Sequence, residues 1–222
     1  MAVTLALIAV LLAIAGWWLS HQRLTAKPWL EEGTVGDFPA TEASPLPAAK
    51  IGLGVFLAVA ASLFALFTSA YFMRMHMGDW HHLPVPRLLW LNTGVLVASS
   101  LALQWAQVAA RRGQVDGVKA GLLGGALTAL LFLVGQLLAW RQLAAEGYFV
   151  ASGPASSFFY LLTAVHGLHL LGGLVALGRT VGKVWRDDDE PDQVRLSVEL
   201  CTIYWHFLLL VWLVLFGLLL HT

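Results

Sequence analysis

Long apolar segments, separated by short polar stretches, form the dominant pattern along this chain. Each segment runs for about 20 residues, the length that an α-helix needs to cross about 30 Å of hydrocarbon. The segments are apolar on every face, whereas the strands of a membrane barrel alternate polar and apolar positions. The pattern therefore predicts six membrane-spanning helices, at residues 3–19, 51–72, 88–110, 118–138, 156–177 and 196–220.

The spacing of these segments predicts an all-α integral membrane fold, in which a five-helix transmembrane bundle follows one N-terminal transmembrane anchor helix. Residues 23–49 are rich in proline and carboxylates and cannot form a core of their own. We therefore predict an anchor helix at 1–22, a cytoplasmic linker at 23–49 and the bundle at 50–222. No basic residue precedes the first segment, which favours a retained anchor over a cleaved signal peptide.

Composition supports a membrane protein and excludes several classes of function. The chain is 59% hydrophobic and 12% charged, and its formal net charge is zero. Such a balance gives no electrostatic footprint for nucleic acid. The single cysteine, Cys201, rules out an intrachain disulfide and a cysteine-based zinc or iron–sulfur centre.

The basic residues fall unevenly on the two sides of the predicted helices, which indicates an orientation. One side collects Arg23, Lys27, Lys50, Arg111, Arg112, Lys119, Arg179, Lys183, Arg186 and Arg195. The other side has Arg74, Arg87 and Arg141. Cytoplasmic loops carry the excess of lysine and arginine, so both termini are expected on the outer, periplasmic side of a bacterial-type inner membrane.

Polar residues within the last two predicted spans are the candidates for a site, because polar groups in hydrocarbon mark helix contacts or function. His166 and His169 are three apart and share one helix face, while Glu199 and His206 are seven apart and share another. If these faces meet, three imidazoles and a carboxylate converge near the bilayer midplane.

Three interpretations of this convergence are open. The favoured one is an interhelical hydrogen-bond network in which Glu199 accepts from a histidine or from Tyr204. The second is a metal site, since histidines with a carboxylate are a plausible ligand set. The third is ligation of haem b between two histidines.

Other polar and small residues are predicted to pack the helices together. Side chains able to bond across helices are Asn92, Thr93, Ser99, Ser100, Gln104 and Gln136. Glycines expected to allow close backbone approach are Gly121, Gly124, Gly125, Gly172 and Gly173. Trp17, Trp18, Trp80 and Trp90 lie near predicted span ends, which is typical of interfacial anchors.

Two motifs resemble those of one family. The aromatic run 158–160 precedes Thr163, His166-Gly167 and His169, with Gly172 following. This segment is similar to one in subunit III of cytochrome c oxidase, where aromatics precede Thr-Gly-x-His-Gly-x-His. The last predicted span also resembles that subunit in its spacing of Glu199, Tyr204, Trp205, His206, Phe207, Val211 and Trp212. The likeness covers about residues 50–222.

The resemblance implies a non-catalytic partner that binds phospholipid and stabilises the catalytic subunit of a haem-copper terminal oxidase in aerobic respiration. Haem and copper would reside in partner subunits, and this chain would have no catalytic, cofactor-binding or metal-binding residues. The residues implied in a structural or lipid-cleft polar cluster are His166, His169, Glu199, Tyr204, Trp205 and His206. The expected partners are the catalytic subunit, other oxidase subunits and membrane lipids, with no nucleic acid.

The chain departs from the family pattern at two carboxylates: Ala60 and Leu209 stand where the family has acids. A proton-antenna role is therefore in doubt, and the extra N-terminal helix also differs from the usual forms. Three alternatives remain: an accessory subunit of nitric oxide reductase, an independent haem-b or metal-binding membrane carrier using His166, His169 and His206, and a transporter using Glu199 as a relay.

Overall fold

The computed structural model describes residues 47–81, 83–186 and 191–221, and the regular structure within these stretches is entirely helical. The helices are α1 (Ala48–Arg74), α2 (Leu88–Arg111), α3 (Val115–Ala145), α4 (Pro154–Arg186) and α5 (Pro191–Leu220). Each is long and apolar enough to cross a membrane. The prediction of an all-α membrane protein with five such helices at 50–222 is confirmed.

The helices are longer than the predicted spans, most clearly in α3 and α4. These contain 31 and 33 residues, so α4 is about 50 Å long at about 1.5 Å per residue. Hydropathy marks only the part of a helix that fits the hydrocarbon, and the polar turns beyond it continue the same backbone hydrogen bonds. The predicted anchor at 1–22 lies outside the described residues, as does the predicted linker up to residue 46.

The chain divides into two compact units, Met1–Ala65 and Leu66–Thr222. Within the first unit, the described residues are the start of α1, where the hydroxyl of Ser62 donates to the carbonyl oxygen of Ala58 at 2.9 Å. The second unit holds the end of α1 and all of α2 to α5. The site and the proposals below concern this second unit.

In the second unit, α2 to α5 form a closed ring of contacts. Helix α2 packs against α3 and α5, and α4 packs against the same two helices. Aromatic and leucine side chains fill the centre, with Trp205, Trp212, Phe132 and Phe159 among the largest fully buried groups. Large apolar residues also cover the outside, as expected when lipid rather than water surrounds the bundle.

Two glycines with positive φ end α2 and α3. Gly113 has φ 70° and Gly147 has φ 89°, a region that residues with a Cβ rarely adopt. After α2, the amide of Gln114 donates to the carbonyl oxygen of Ala109, and after α3 the amide of Tyr148 donates to that of Leu143. These are Schellman caps, and they let α3 begin only a few residues after α2 ends.

Close backbone approach occurs at some of the predicted glycines and not at others. A Cβ on Gly121 would lie 2.7 Å from the Cβ of Ala106, which places α2 and α3 in tight contact. A Cβ on Gly173 would lie 2.6 Å from Cε1 of Tyr204, on α5. The prediction of close approach at Gly172 is wrong, because a Cβ on this residue would meet no other atom within 4 Å. Because Gly172 is one residue before Gly173, it is rotated away from α5 and lies on the exposed side of α4.

Candidate functional site

Two buried indoles tie α5 to α2 through hydroxyl groups. Nε1 of Trp205 donates to the hydroxyl oxygen of Ser99 at 2.9 Å, and Ser99 in turn donates to the carbonyl oxygen of Gly125 at 2.8 Å. Nε1 of Trp212 donates to the hydroxyl oxygen of Thr93 at 2.9 Å. The sequence analysis placed Thr93 and Ser99 among the side chains able to bond across helices and Trp205 in the polar cluster, but it paired neither indole with α2. The available signal was the position of Trp205 and Trp212 in the middle of an apolar span.

His166 lies in the aromatic centre of the bundle and is fully buried. Its ring centroid is 5.2 Å from that of Trp212 and 5.8 Å from that of Phe132, on the two helices that flank α4. Phe132 and Trp212 also meet edge to face, with centroids 4.9 Å apart. His166 therefore contributes to the packing of three helices at once.

His169 and Tyr204 form the contact between α4 and α5. The hydroxyl of Tyr204 donates to the backbone carbonyl oxygen of His169 at 2.9 Å. The ring of His169 is half-buried, and its Nδ1 lies 2.8 Å from the carbonyl oxygen of Val165. The interpretation in which Glu199 accepts from a histidine or from Tyr204 stays a prediction.

His206 does not join the other histidines in the expected cluster, because its side chain is exposed. It lies two residues from Tyr204, which is about 200° of helical rotation, so the two cannot both face α4. Nδ1 of His206 lies 2.7 Å from the carbonyl oxygen of Thr202 in its own helix. Glu199, two turns earlier on the same side, is half-buried. The structure thus places His166 and His206 in different environments.

No metal-binding group is found in the described stretches: no three or more histidine, cysteine or acidic side chains are arranged to hold an ion. The buried Cys201 lies with its Sγ 3.4 Å from the hydroxyl of Thr180, between α4 and α5. Its contact is therefore one of helix packing.

Of the other polar residues predicted to bond across helices, Asn92 and Gln136 form such a hydrogen bond, whereas Ser100 and Gln104 do not do so within the described residues. Nδ2 of Asn92 donates to Oε1 of Gln136 at 3.4 Å, which joins α2 to α3 as expected. Ser100 is buried, and its hydroxyl has no hydrogen-bond partner in the part of the chain that the structure describes. Gln104 is exposed on α2 and does not occupy the helix contact predicted for it.

The loop after α1 is held by charge and by aromatic packing. Both terminal nitrogens of Arg74 donate to the carboxylate of Asp79, and this lowers the pKa of Asp79 below its ordinary value. Trp80 packs edge to face on Tyr71, with ring centroids 4.9 Å apart, and Phe158 packs on the same tyrosine at 5.5 Å. The loop is therefore joined to the beginning of α4.

Comparison with known proteins gives the family. Residues 2–221 match the family model described as cytochrome c oxidase subunit III. The chain belongs to the cytochrome c oxidase subunit III family. It is 35% identical over 159 residues to a probable cytochrome c oxidase subunit 3 of Mycobacterium tuberculosis (strain ATCC 25618 / H37Rv), covering 70% of this chain and 77% of that protein.

Two further relatives have the same name in other bacteria. Identity is 32% over 160 residues with the cytochrome c oxidase subunit 3 of Corynebacterium diphtheriae, covering 70% of this chain and 77% of the relative. Identity is 30% over 179 residues with that of Thermostichus vulcanus, covering 76% and 85% respectively. Membership of the subunit III family and five apolar helices make the chain a multi-pass membrane protein of a multi-subunit respiratory oxidase.

In this member of the subunit III family, the two motifs lie side by side. The segment ending in His166 and His169 is on α4, the segment around Trp205 and His206 is on α5, and these helices are in contact. Each motif supplies interior and surface residues together: His166 and Trp205 are fully buried, whereas His206 is exposed. The motifs therefore mark the contact between α4 and α5, together with one outward-facing side of this helix pair.

Proposed function

We propose that this chain is the non-catalytic subunit III of a haem-copper terminal oxidase, that it stabilises the catalytic subunit, and that it binds phospholipid. Haem and copper would belong to partner subunits. The family match supports the class of complex, and the interior contacts of α2 to α5 support a structural role, since indoles, hydroxyls and amides there bond helix to helix.

The observation that carries the proposed contact is the exposed imidazole of His206. It lies on the outer side of α5 in the company of Ile203 and Leu210, which are 40% and 60% exposed. Eleven residues, or about 16 Å of helix, separate it from Arg195 near the start of α5, so hydrocarbon surrounds it in an isolated chain. Nδ1 is bonded within α5, so Nε2 is the atom left in hydrocarbon, and a polar atom at that depth is unfavourable without a partner. We infer that the catalytic subunit, or another oxidase subunit, supplies one.

The location of the complex is part of the same proposal. The described basic residues at one end of α2 to α5 include Arg111, Arg112, Arg179, Lys183 and Arg186. Their excess supports placing that end in the cytoplasm and the C-terminus on the outer side of an inner membrane. The anchor at 1–22 and the linker at 23–49 remain predictions for further contacts with the complex.

Affinity purification through a tag on the full chain tests the proposed function. We expect a larger haem-copper subunit to co-purify in mild detergent, with oxygen consumption by the recovered complex. Recovery of the chain alone would overturn the proposal. Nitric oxide reduction in place of oxygen consumption would assign it to the other enzyme class, and a Soret band from the isolated chain would assign it to a haem carrier.

A pair of variants tests the contact at His206. His206→Leu should reduce the co-purified catalytic subunit several-fold, while Ile203→Leu, an apolar replacement on the same side of α5, should leave it unchanged. Equal recovery with both variants would place the catalytic subunit on another face of the chain, with subunit III membership unaffected.

A further inference from the structure

Methionine is concentrated at the end of α1. Three of the four methionines in the chain lie within residues 73–77, which read Met-Arg-Met-His-Met. Met73 is 72% exposed and Met77 is 57% exposed, and His76 beside them is exposed as well. A methionine that packs a helix bundle would be buried, so these two thioether sulfurs remain accessible to a ligand.

The backbone at this point brings Met73, His76 and Met77 to one side of a turn. The amide of Met75 donates to the carbonyl oxygen of Tyr71 at 2.9 Å, so helical hydrogen bonding continues beyond the end of α1. The amide of Met77 donates to the carbonyl oxygen three residues earlier at 3.1 Å, which tightens the turn. Residues three and four apart lie on the same side of a helical turn, with Cβ atoms about 5 to 6 Å apart. Met75 is two residues from each of the other methionines and is directed to another side.

His76 has one ring nitrogen bonded and presents the other. Its Nδ1 lies 2.6 Å from the carbonyl oxygen of Phe72, and because a carbonyl oxygen can only accept, Nδ1 carries the proton. In the neutral ring, Nε2 then has the lone pair that a metal ion needs. Histidines that bind metals commonly donate their other ring nitrogen to a backbone carbonyl in this way, which fixes the ring orientation. The donor atoms at this turn are therefore one imidazole nitrogen and two thioether sulfurs.

The acidic residue of the loop does not compete as a ligand. Asp79 is the only carboxylate within residues 73–81, and both of its oxygens accept hydrogen bonds from Arg74. The same ion pair neutralises the guanidinium group, which would otherwise repel a cation. Hard cations such as Mg²⁺ and Ca²⁺ need oxygen ligands, whereas thioether and imidazole ligands suit Cu(I). The side chains that remain available are soft donors.

The rest of the loop is held in place by other contacts. Trp80 packs edge to face on Tyr71, which fixes the chain after the turn. His81 lines a cavity together with Tyr148, on the loop between α3 and α4, and is not assigned to the methionine turn. His82 lies outside the described residues and is likewise not assigned to it. The turn is therefore shaped by contacts that require no bound ion.

We propose that Met73, His76 and Met77 bind one Cu(I) ion through two thioether sulfurs and Nε2. Soft ligands of this kind favour Cu(I) over Zn²⁺ and over divalent ions that prefer oxygen. Because the loop packs on Phe158 near the beginning of α4, the proposed orientation places this site on the periplasmic side. We call these three residues the methionine site.

The methionine site differs from the metal centres of an oxidase. Among the described residues, no three histidine, cysteine or acidic side chains are arranged to hold an ion, and two of the three donors proposed here are methionines. In the proposed function, the haem and copper that react belong to partner subunits. The inference goes beyond that function, because it adds a surface site that holds an ion without any redox step.

Three substitutions remove the proposed ligands, and three leave them in place. Leucine conserves the volume and apolar character of methionine but has no sulfur. The ligand variants are Met73→Leu, Met77→Leu and His76→Ala. The controls replace the methionine directed elsewhere, the neighbouring exposed histidine and the buried thiol. They are Met75→Leu, His81→Ala and Cys201→Ala.

The experiment uses the full-length chain in detergent, expressed without partner subunits and purified through a tag that contains no histidine. Cu(I) is titrated under anaerobic conditions in competition with the chromogenic chelator bicinchoninate. We expect the wild-type chain to withdraw one Cu(I) ion from the chelator. Each ligand variant should weaken binding by more than about tenfold, since changes in outer-shell partners alone cost about 10- to 100-fold. Each control should bind as the wild type does.

X-ray absorption at the copper edge tests the ligand set directly. The wild-type chain should show sulfur neighbours around the copper, and Met77→Leu should show fewer of them. Zn²⁺ added at the same concentration should not displace Cu(I), because thioethers are poor ligands for zinc. Displacement by Zn²⁺, or copper bound without sulfur neighbours, would overturn the methionine site.

The binding results can overturn the site in two further ways. One is a wild-type chain that withdraws no Cu(I), and the other is a set of ligand variants that bind as tightly as their controls. Circular dichroism of each variant reports whether its helices have formed, and the two methionine variants are independent tests. No outcome bears on membership of the oxidase complex, because the assay contains no partner subunit.

Discussion

The indole nitrogen of Trp205 donates a hydrogen bond to the hydroxyl of Ser99, a residue 106 positions earlier in the chain. Ser99 donates its own proton to the carbonyl oxygen of Gly125. One serine therefore joins α5, α2 and α3. Because both atoms of the indole–hydroxyl bond are buried among apolar side chains, neither has water as an alternative partner.

We expect this hydrogen bond to have a measurable coupling energy. A double-mutant cycle with Trp205→Phe and Ser99→Ala should give about 0.5 to 1.5 kcal/mol, the range for interhelical hydrogen bonds in membranes. Unfolding of the purified complex by denaturing detergent measures it. Ser62→Ala is the control for Ser99→Ala, because the hydroxyl of Ser62 bonds within its own helix, away from the Ser99 contact. Additive effects of the two substitutions would contradict the prediction.

Adjacent glycines on α4 should respond in opposite ways to the same added methyl group. Gly173→Ala should destabilise the complex by about 1 to 3 kcal/mol, because the new Cβ would overlap the rings of Tyr204 and Trp205. Gly172→Ala should have no effect or should stabilise by up to about 1 kcal/mol, since its Cβ enters open space. Thermal unfolding in the same detergent compares them. Equal losses would mean that α4 is rotated from the position described.

The carboxyl group of Asp79 should titrate below its ordinary pKa of 3.8, because Arg74 donates hydrogen bonds to its charged form. A lowered pKa in the folded state means that the ion pair is fully present above that ordinary value. It is lost as the pH falls through the lowered one. Carbon-13 NMR of labelled aspartate, assigned with Asp79→Asn, measures this pKa. In Arg74→Gln it should rise toward the ordinary value, and no change would show that the pair is absent in solution.

Single introduced cysteines should report the proposed orientation. Ala151 and Gln114 are exposed in loops at opposite ends of α3, and the native Cys201 is buried. In right-side-out vesicles, a membrane-impermeant maleimide should label Ala151→Cys and should not label Gln114→Cys until the membrane is opened. The wild-type chain gives the background from Cys201. The reverse labelling pattern would invert the orientation.

The sequence predicts the helices well because hydrocarbon imposes one simple rule on them. Any span must satisfy its backbone internally and present about 20 apolar residues, and the five described helices do so. Their ends were less predictable. The last turns of α4, up to Arg186, are polar and outside the hydropathy pattern, yet they continue the helix because backbone bonding there needs no apolar side chain.

The sequence predicted only in part which polar residues face the interior of the helix bundle. His166 is interior, as its spacing indicated, because its side of α4 faces Phe132 and Trp212. His206 was expected in the same interior and is exposed. In a span that is apolar all round, hydrophobic periodicity does not distinguish the lipid face from the core. The rotation of α5 is fixed by Trp205 and Trp212, whose hydrogen bonds to α2 no local pattern reveals.

The short turn at Gly113 has a consequence for how the protein is made. With only a few residues between them, α2 and α3 can enter the bilayer together as a hairpin while the ribosome is still far from α5. At that stage Ser99 already has its acceptor on α3, but the indole that donates to it belongs to a helix that has not yet been synthesised. The contact between α2 and α3 can therefore form first, and α5 completes it once Trp205 has been synthesised.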